Sequence, residues 1–106
     1  MSYTRDREEF FHVMAGEGMS LPTCRRLLRD AGTVQRYSET ECSRLPTARE
    51  TARAGAARLR IEEDTRTLGI GVEFSGDPRG ACVKLRLPSG RANDWGGCGL
   101  YCVPAR

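Results

Sequence analysis

Five cysteines and one histidine are the residues of this chain whose types could bind a metal ion or serve as nucleophile and base. Cys98 and Cys102 are separated by three residues, and Cys82 and His12 could complete a set of four soft zinc ligands. An extended strand would hold the two sulfurs too far apart unless the neighbouring glycines turn it. Isolated cysteines also serve as small apolar core residues. The pattern predicts free thiols and no metal ion, and it leaves open whether Cys98 and Cys102 pair or bind metal.

Catalytic and cofactor motifs are the next possibility. A Cys-His or Ser-His-Asp relay needs its base on a preformed scaffold, whereas His12 lies between Phe11 and Val13 in a short terminal helix, as an incidental surface histidine does. The segment 96–99, GGCG, lacks the Lys-Ser/Thr of a phosphate loop, and no helix follows it. We therefore predict no catalytic residue, no cofactor and no enzymatic activity.

The charged residues are numerous and mixed in sign, with 17 basic against 14 acidic side chains and a net charge of +3. The acidic run Glu62–Asp64 is expected on a solvated helix face, paired along that helix with Arg58, Arg60 and Arg66. All basic residues but Lys84 are arginines, which bind phosphates well, although a GC-rich genome explains the same composition. A nucleic-acid interface would use one basic surface, consisting of Arg26, Arg29, Arg36, Arg79, Lys84, Arg86 and Arg91.

Length and composition indicate one domain over residues 1–106, with a thin core. No apolar run is long enough to span a membrane, and no signal peptide precedes the first helix. An odd number of cysteines without a secretion signal favours reduced thiols in a cytoplasm.

Helical periodicity covers the first two thirds of the chain. Residues 5–15 predict a short helix, with Asp6 and Glu9 as its capping pair. Gly16 and Gly18 are expected to end it. Residues 1–18 are therefore predicted to form an N-terminal helix, whose role stays open. A second helix is expected over 21–42, with Ser20 as its N-cap. Its inward stripe is Cys24, Leu27, Leu28, Ala31, Val34 and Ser38, and its opposite side is Arg26, Arg29, Thr33, Arg36 and Thr40.

A third helix begins at the capping box Thr47-Ala-Arg-Glu50 and runs to about residue 68. Its inward side is expected to be Ala48, Ala52, Ala56 and Leu59, with Ile61 and Leu68 beside it. Small residues let two helix backbones approach closely, so residues 20–68 predict an antiparallel helical hairpin.

From residue 69 the apolar period changes to two. Alternating residues 70–74 and 83–87 flank Asp77-Pro-Arg-Gly80, which has the preferences of a type I turn. A third strand over 100–103 would complete a meander within 69–104. The predicted fold class is α+β, with the hairpin and the short N-terminal helix packed on a three-stranded antiparallel β-meander. Lys84 and Arg86 then project from the solvent-exposed face of the central strand, with Cys82 and Glu73 nearby.

The C-terminal third also carries a combination of short motifs: Gly76–Gly80 (GDPRG), Val83–Leu85 (VKL), Pro88–Gly90 (PSG) and Asn93–Gly96 (NDWG), followed by Val-Pro. Together with a helix of the kind LLRDAGTVQRYSETEC, they resemble a group of small, functionally uncharacterised proteins encoded by tailed bacteriophages and prophages of proteobacteria. The resemblance covers about two thirds of the chain. Cys98 and Cys102 depart from it, because the group more often has acidic and aromatic residues there, and the first twenty residues have no counterpart.

What the resemblance implies is provenance more than chemistry. Small phage proteins without a catalytic constellation often bind and block a host machine, and anti-CRISPR and other anti-defence inhibitors are prominent among them. The expected function is a non-enzymatic inhibitor of a host protein or ribonucleoprotein in the bacterial cytoplasm, with unknown oligomeric state and a dimer possible. The alternative is a small nucleic-acid-binding accessory factor. The candidate partner-binding residues are Arg79, Lys84, Arg86, Arg91 and Trp95, although Trp95 could instead pack half-buried on the helices.

Overall fold

A computed structural model describes the backbone of residues 2–43, 47–75, 82–87 and 100–103 and the side chains of 7–36, 47–74, 83–87 and 103. Three helices come first: α1 (Ser2–Gly16), α2 (Leu21–Ser43) and α3 (Ala48–Arg66). The strands β1 (Gly71–Ser75), β2 (Cys82–Arg86) and β3 (Leu100–Cys102) follow. Within the described residues, no helix is both long enough and apolar enough to cross a membrane.

The first helix starts earlier than its sequence suggests. Because α1 begins at Ser2, Asp6 lies inside it, and the predicted Asp6–Glu9 cap is wrong. Its end is as expected: Gly18 has a φ of 92°, and the Gly18 and Met19 amides donate to the carbonyls of Ala15 and Met14 at 3.0 and 2.9 Å. This is a Schellman motif, which places a left-handed residue after the helix and favours glycine there.

The caps of α2 and α3 follow the sequence closely. At the start of α2, the Thr23 amide donates to Ser20 Oγ at 3.4 Å. At the start of α3, the Glu50 amide donates to Thr47 Oγ1 at 3.1 Å, and the Thr47 amide donates to Glu50 Oε1 at 2.8 Å. The capping box is therefore confirmed, because both reciprocal bonds are present.

The inward stripe of α2 is confirmed from Cys24 to Val34, all of whose apolar members are buried, whereas Ser38 lies outside the described side chains. The inward side of α3 was predicted wrongly. Ala48, Ala52, Ala56 and Leu59 are exposed, and the buried residues are Ala57, Ile61 and Thr65. Leu59 and Ile61 lie about 200° apart around the helix, so only one of them can face α2. Two ion pairs to α2, described below, fix Ile61 as that residue.

The sheet is antiparallel, and its faces are as predicted. In β1 and β2, Val72 lies opposite Leu85 and Phe74 opposite Val83, while Glu73 lies opposite Lys84 on the other face. β3 runs antiparallel to β2 over three residues, with Tyr101 opposite Leu85. The predicted turn at 77–80 and the connection at 88–99 lie outside the described residues. An α+β fold of three helices and an antiparallel sheet is thus confirmed.

One core joins the helices to the sheet. α2 and α3 pack along each other, α3 also contacts β1, and α2 contacts β2. The buried apolar residues are Phe10, Met14, Met19, Cys24, Leu27, Leu28, Ala31, Val34, Ala57, Ile61, Ile70, Val83, Leu85, Leu87 and Val103.

Candidate partner-binding site

The sheet face turned away from the helices is the candidate site, because it holds the charged side chains that the sequence predicts there. We call Glu73, Lys84 and Arg86 the charged sheet face. Glu73 lies directly opposite Lys84 in the register. Arg86 Nη2 donates to Glu73 Oε1 at 3.2 Å, and the two side chains are 65% and 59% exposed. A bond between such exposed groups contributes little to stability.

Strand alternation produces this face. Val83, Leu85 and Leu87 are buried, so the side chains between them must point to the opposite side of the sheet. A register shifted by one residue would bury Lys84 and Arg86, at a high desolvation cost. The apolar alternation therefore positions the charged residues as firmly as it positions the core.

Phe74 marks the margin between the covered sheet face and solvent. Its ring is half-buried against the core, and the Arg58 guanidinium carbon lies 5.3 Å from the ring centroid. A cation at this distance over an aromatic face is attracted to the ring. Arg58 therefore forms a cation–π contact with Phe74. The sequence pattern had predicted that it would pair with the acidic run of its own helix.

Three of the five candidate contact residues fall outside the described residues. They are Arg79, Arg91 and Trp95. Cys98 also lies outside them, whereas Cys102 is the last residue of β3 and only its side chain is not described. The structure brings Lys84 and Arg86 together on one face, whereas the side chain of Cys82 lies outside the described ones.

A second group of charges, which sequence reasoning missed, lies between α2 and α3. Arg26 Nε and Nη2 donate to the two carboxylate oxygens of Asp64 at 2.9 and 2.7 Å. Arg60 Nε and Nη2 donate to Asp30 at 3.0–3.2 Å. The carboxylates of Asp30 and Asp64 are only 1% and 9% exposed. We call these two pairs the interhelical clasp.

The clasp corrects two expectations. Asp64 and Arg60 pair across the helices, so the predicted pairing within α3 is wrong for both, and Arg26 faces α3 and not the solvent side of α2. The signal was in the sequence as a repeated Arg-x3-Asp: Arg26 with Asp30, and Arg60 with Asp64. Two antiparallel helices place each Arg beside the other helix's Asp.

The guanidinium groups respond electrostatically to these carboxylates. The pKa of Arg26 is raised, first by its hydrogen bond to Asp64 and then by the charge of Asp64. The pKa of Arg60 is raised in the same way by Asp30. The hydrogen bonds thus favour the charged form of both guanidinium groups, whose positive charge lies beside the buried carboxylates.

An open cleft of about 370 Å³ lies beside the clasp, where the α1–α2 turn meets the end of α3. It is lined by Gly18, Met19, Ser20, Thr23, Arg26, Glu63, Asp64, Thr67 and Leu68. Two of the hydroxyls that line the cleft are hydrogen-bonded to each other, because Ser20 Oγ and Thr23 Oγ1 lie 2.8 Å apart. The opposite charges of Arg26 and Asp64 offset each other, so Glu63 carries the remaining charge of the lining. The cleft therefore has no strong preference for an anion.

The nucleophile and base candidates lie on different elements. His12 is exposed on α1, whereas Cys24 is buried in α2, where desolvation raises the pKa of its thiol. A neutral buried thiol is a poor nucleophile. No cluster of three metal-binding side chains occurs in the described part of the chain.

Comparison with models of known protein families, with curated proteins and with solved structures finds no match to this chain. Its relation to phage proteins stays a prediction from the motifs.

Proposed function

We propose that this chain is a non-enzymatic interaction protein, encoded by a phage or prophage, that binds and inhibits a machine of the bacterial host. Its class would be that of anti-defence inhibitors, such as those directed against CRISPR systems, and its place of action the host cytoplasm. The observation that supports the proposal best is the charged sheet face, which the helices leave uncovered.

The fold does not need the charges on this face. The opposite face of the same strands packs on the helices, whereas Glu73 and Arg86 face solvent and their bond adds little stability. Arginine is enriched among the residues that dominate binding energy at protein interfaces. We assign Lys84 and Arg86 to partner contact, and extend the assignment to Arg79, Arg91 and Trp95.

The proposal includes the complete three-stranded meander. β3 pairs with β2 over residues 100–102, which makes β2 the central strand. A central strand offers its side chains on a flat surface bordered on both sides, and this favours a protein surface as the partner.

A non-enzymatic role agrees with the positions of the reactive groups. His12 and Cys24 lie on different helices, and the cysteine is buried and protonated. Catalysis of acyl or phosphoryl transfer needs a nucleophile, a base and an oxyanion donor within a few ångströms of one another.

The nucleic-acid alternative is less well supported by the charges. Of the residues in its basic surface, Arg26 is neutralised by Asp64 and Arg86 is bonded to Glu73. Fewer free cations remain to neutralise phosphates, so any such binding should be weak and fall steeply with salt.

The experiment is affinity capture of the tagged protein from infected host cells, with and without nuclease. The test variant is Lys84→Glu/Arg86→Glu, and the matched control is Arg25→Glu/Arg29→Glu, which reverses two exposed charges on α2. We expect a nuclease-resistant host protein that the test variant loses and the control retains. A circular dichroism melt should show that both variants are folded.

Two results would contradict the proposal. Recovery of nucleic acid alone, weakened equally by both variants, would make the chain a nucleic-acid-binding factor. Retention of the host protein by the folded test variant would remove the charged sheet face from the binding site.

A further inference from the structure

The side of α3 opposite to the core carries an exposed leucine. Leu59 is 67% exposed and Leu21 49%, and these are the two large hydrophobic residues that the described side chains expose. Ala52 and Ala56 lie beside Leu59 on the same helix face, and both are exposed. We call these residues, with Arg49 and Glu63, the outer face of α3. Burying an exposed leucine side chain is favourable, so this face favours an occupant.

Opposite charges stand at the two ends of the outer face. Arg49 lies in the first turn of α3 and Glu63 near its last turn, about 21 Å apart along the axis. Both side chains are exposed, and among the described residues neither forms an ion pair. The charges are symmetric in sequence as well, because each lies seven residues from Ala56.

We propose that a second copy of this chain covers the outer face, with the two α3 helices antiparallel and related by a two-fold axis near Ala56. That arrangement brings Arg49 of each copy to Glu63 of the other, twice by symmetry. It also places each Leu59 over the other copy's Ala52, a large side chain against a small one. A parallel arrangement would instead set Arg49 against Arg49, so charge complementarity selects the antiparallel one.

The crossing point allows the helices to approach. Ala52 and Ala56, the residues of the outer face nearest the axis, are small and exposed. Helices whose contact residues are small pack at the short end of the usual 8–10 Å separation. The close approach brings the long Arg49 and Glu63 side chains within bonding reach across the interface.

This inference is independent of the proposed function. The outer face of α3 and the charged sheet face share no residue. A dimer would carry two copies of the charged sheet face, which raises avidity for a partner with repeated sites.

The first test is the molar mass in solution, measured by sedimentation equilibrium over a range of concentrations. We expect twice the chain mass of 11.7 kDa for the wild type. Leu59→Glu should give the single-chain mass, whereas the matched control Leu21→Glu, at the other exposed leucine, should remain a dimer. A circular dichroism melt of each variant at low concentration checks that the fold is intact.

The second test determines whether the two α3 helices of the dimer run antiparallel or parallel. Arg49→Glu and Glu63→Arg alone should each weaken the dimer by roughly tenfold, because each places like charges together at two positions. The double variant Arg49→Glu/Glu63→Arg should restore wild-type affinity. In a parallel dimer each charge would face its own copy, so neither single variant would weaken the dimer.

Two outcomes would overturn the inference. A single-chain mass for the wild type at all concentrations would show that no second copy covers this face. Equal loss of the dimer in Leu59→Glu and Leu21→Glu, with both variants folded, would place the contact elsewhere.

Discussion

The two sides of α3 carry residues of nearly the same chemistry, but one side is buried and the other is exposed. The inner side presents Ala57, Ile61 and Asp64, and the outer side presents Ala56, Leu59 and Glu63. Each set is one alanine, one branched aliphatic residue and one acid. Yet Ala57 and Ile61 are fully buried and Asp64 is nearly so, whereas the outer three are exposed.

Apolar content therefore does not determine which side of α3 faces the core. The ion pairs between α3 and α2 determine it. Asp64 can reach Arg26 only if its side faces α2, and Arg60 can reach Asp30 only in the same orientation. Turning α3 to bury Leu59 would leave the carboxylate of Asp30 buried without a partner, which costs several kcal/mol.

The largest expected effect comes from truncating one aliphatic side chain to alanine on each side of α3 and comparing the two losses of stability. Ile61→Ala should lower the free energy of unfolding by about 3 kcal/mol, because it opens a cavity in a packed core. Leu59→Ala should change it by less than about 0.5 kcal/mol. Urea denaturation at low protein concentration measures both, and similar losses would mean that the inner and outer sides are assigned wrongly.

The next largest effect concerns the interhelical clasp. Arg60→Ala leaves the carboxylate of Asp30 buried and unpaired, which should lower the free energy of unfolding. The loss should be smaller than that of Ile61→Ala, because the Arg60 side chain is nearly half exposed and water can partly replace it. Arg66→Ala, an exposed arginine on the same helix, serves as the control and should be nearly neutral. In the double variant Asp30→Ala/Arg60→Ala most of the loss should be recovered, since no unpaired charge remains. A double variant no more stable than Arg60→Ala would refute the electrostatic account.

A smaller effect on stability, visible at alkaline pH, should arise from the buried thiol of Cys24. Burial raises its pKa above the ordinary 9.0, so the folded protein holds the proton more tightly than the unfolded chain. Stability should therefore be full below about pH 9 and fall as the pH rises through the raised pKa. Cys24→Ser should lose this thiol-dependent part of the alkaline decline, as measured by denaturation between pH 7 and pH 10.5. An identical decline in both proteins would contradict the burial argument.

The smallest effect belongs to the charged sheet face. Glu73→Ala and Arg86→Ala should each change stability by less than about 0.5 kcal/mol, because their bond is exposed to water. A double-mutant cycle measured by urea denaturation should give a coupling of similar size, falling with added salt. A coupling as large as that of the interhelical clasp would mean that the pair supports the fold.

Local signals in the sequence predicted the boundaries of most elements. The Thr47–Glu50 box starts α3, Gly18 ends α1, and the alternation of residues 83–87 separates the buried and exposed sides of β2. These features depend on neighbours a few residues away, so short-range hydrogen bonding and side-chain periodicity suffice. Lys84 and Arg86 could be placed on the exposed face for the same reason.

The inward side of α3 and the partners of its charges were decided by tertiary structure alone. Ile61 and Leu59 offer similar apolar surface, and a single helix gives no reason to prefer either. The choice depends on Arg26 and Asp30, which lie at least thirty residues away in sequence and meet α3 only when the hairpin closes. Within one helix, Arg60 and Asp64 stand at the spacing of a local pair, which an exposed helix would form. Packing against α2 removes the Asp64 carboxylate from bulk water, while Arg60 stays partly exposed. The free energy of a buried carboxylate then depends on the arginine of the opposite helix.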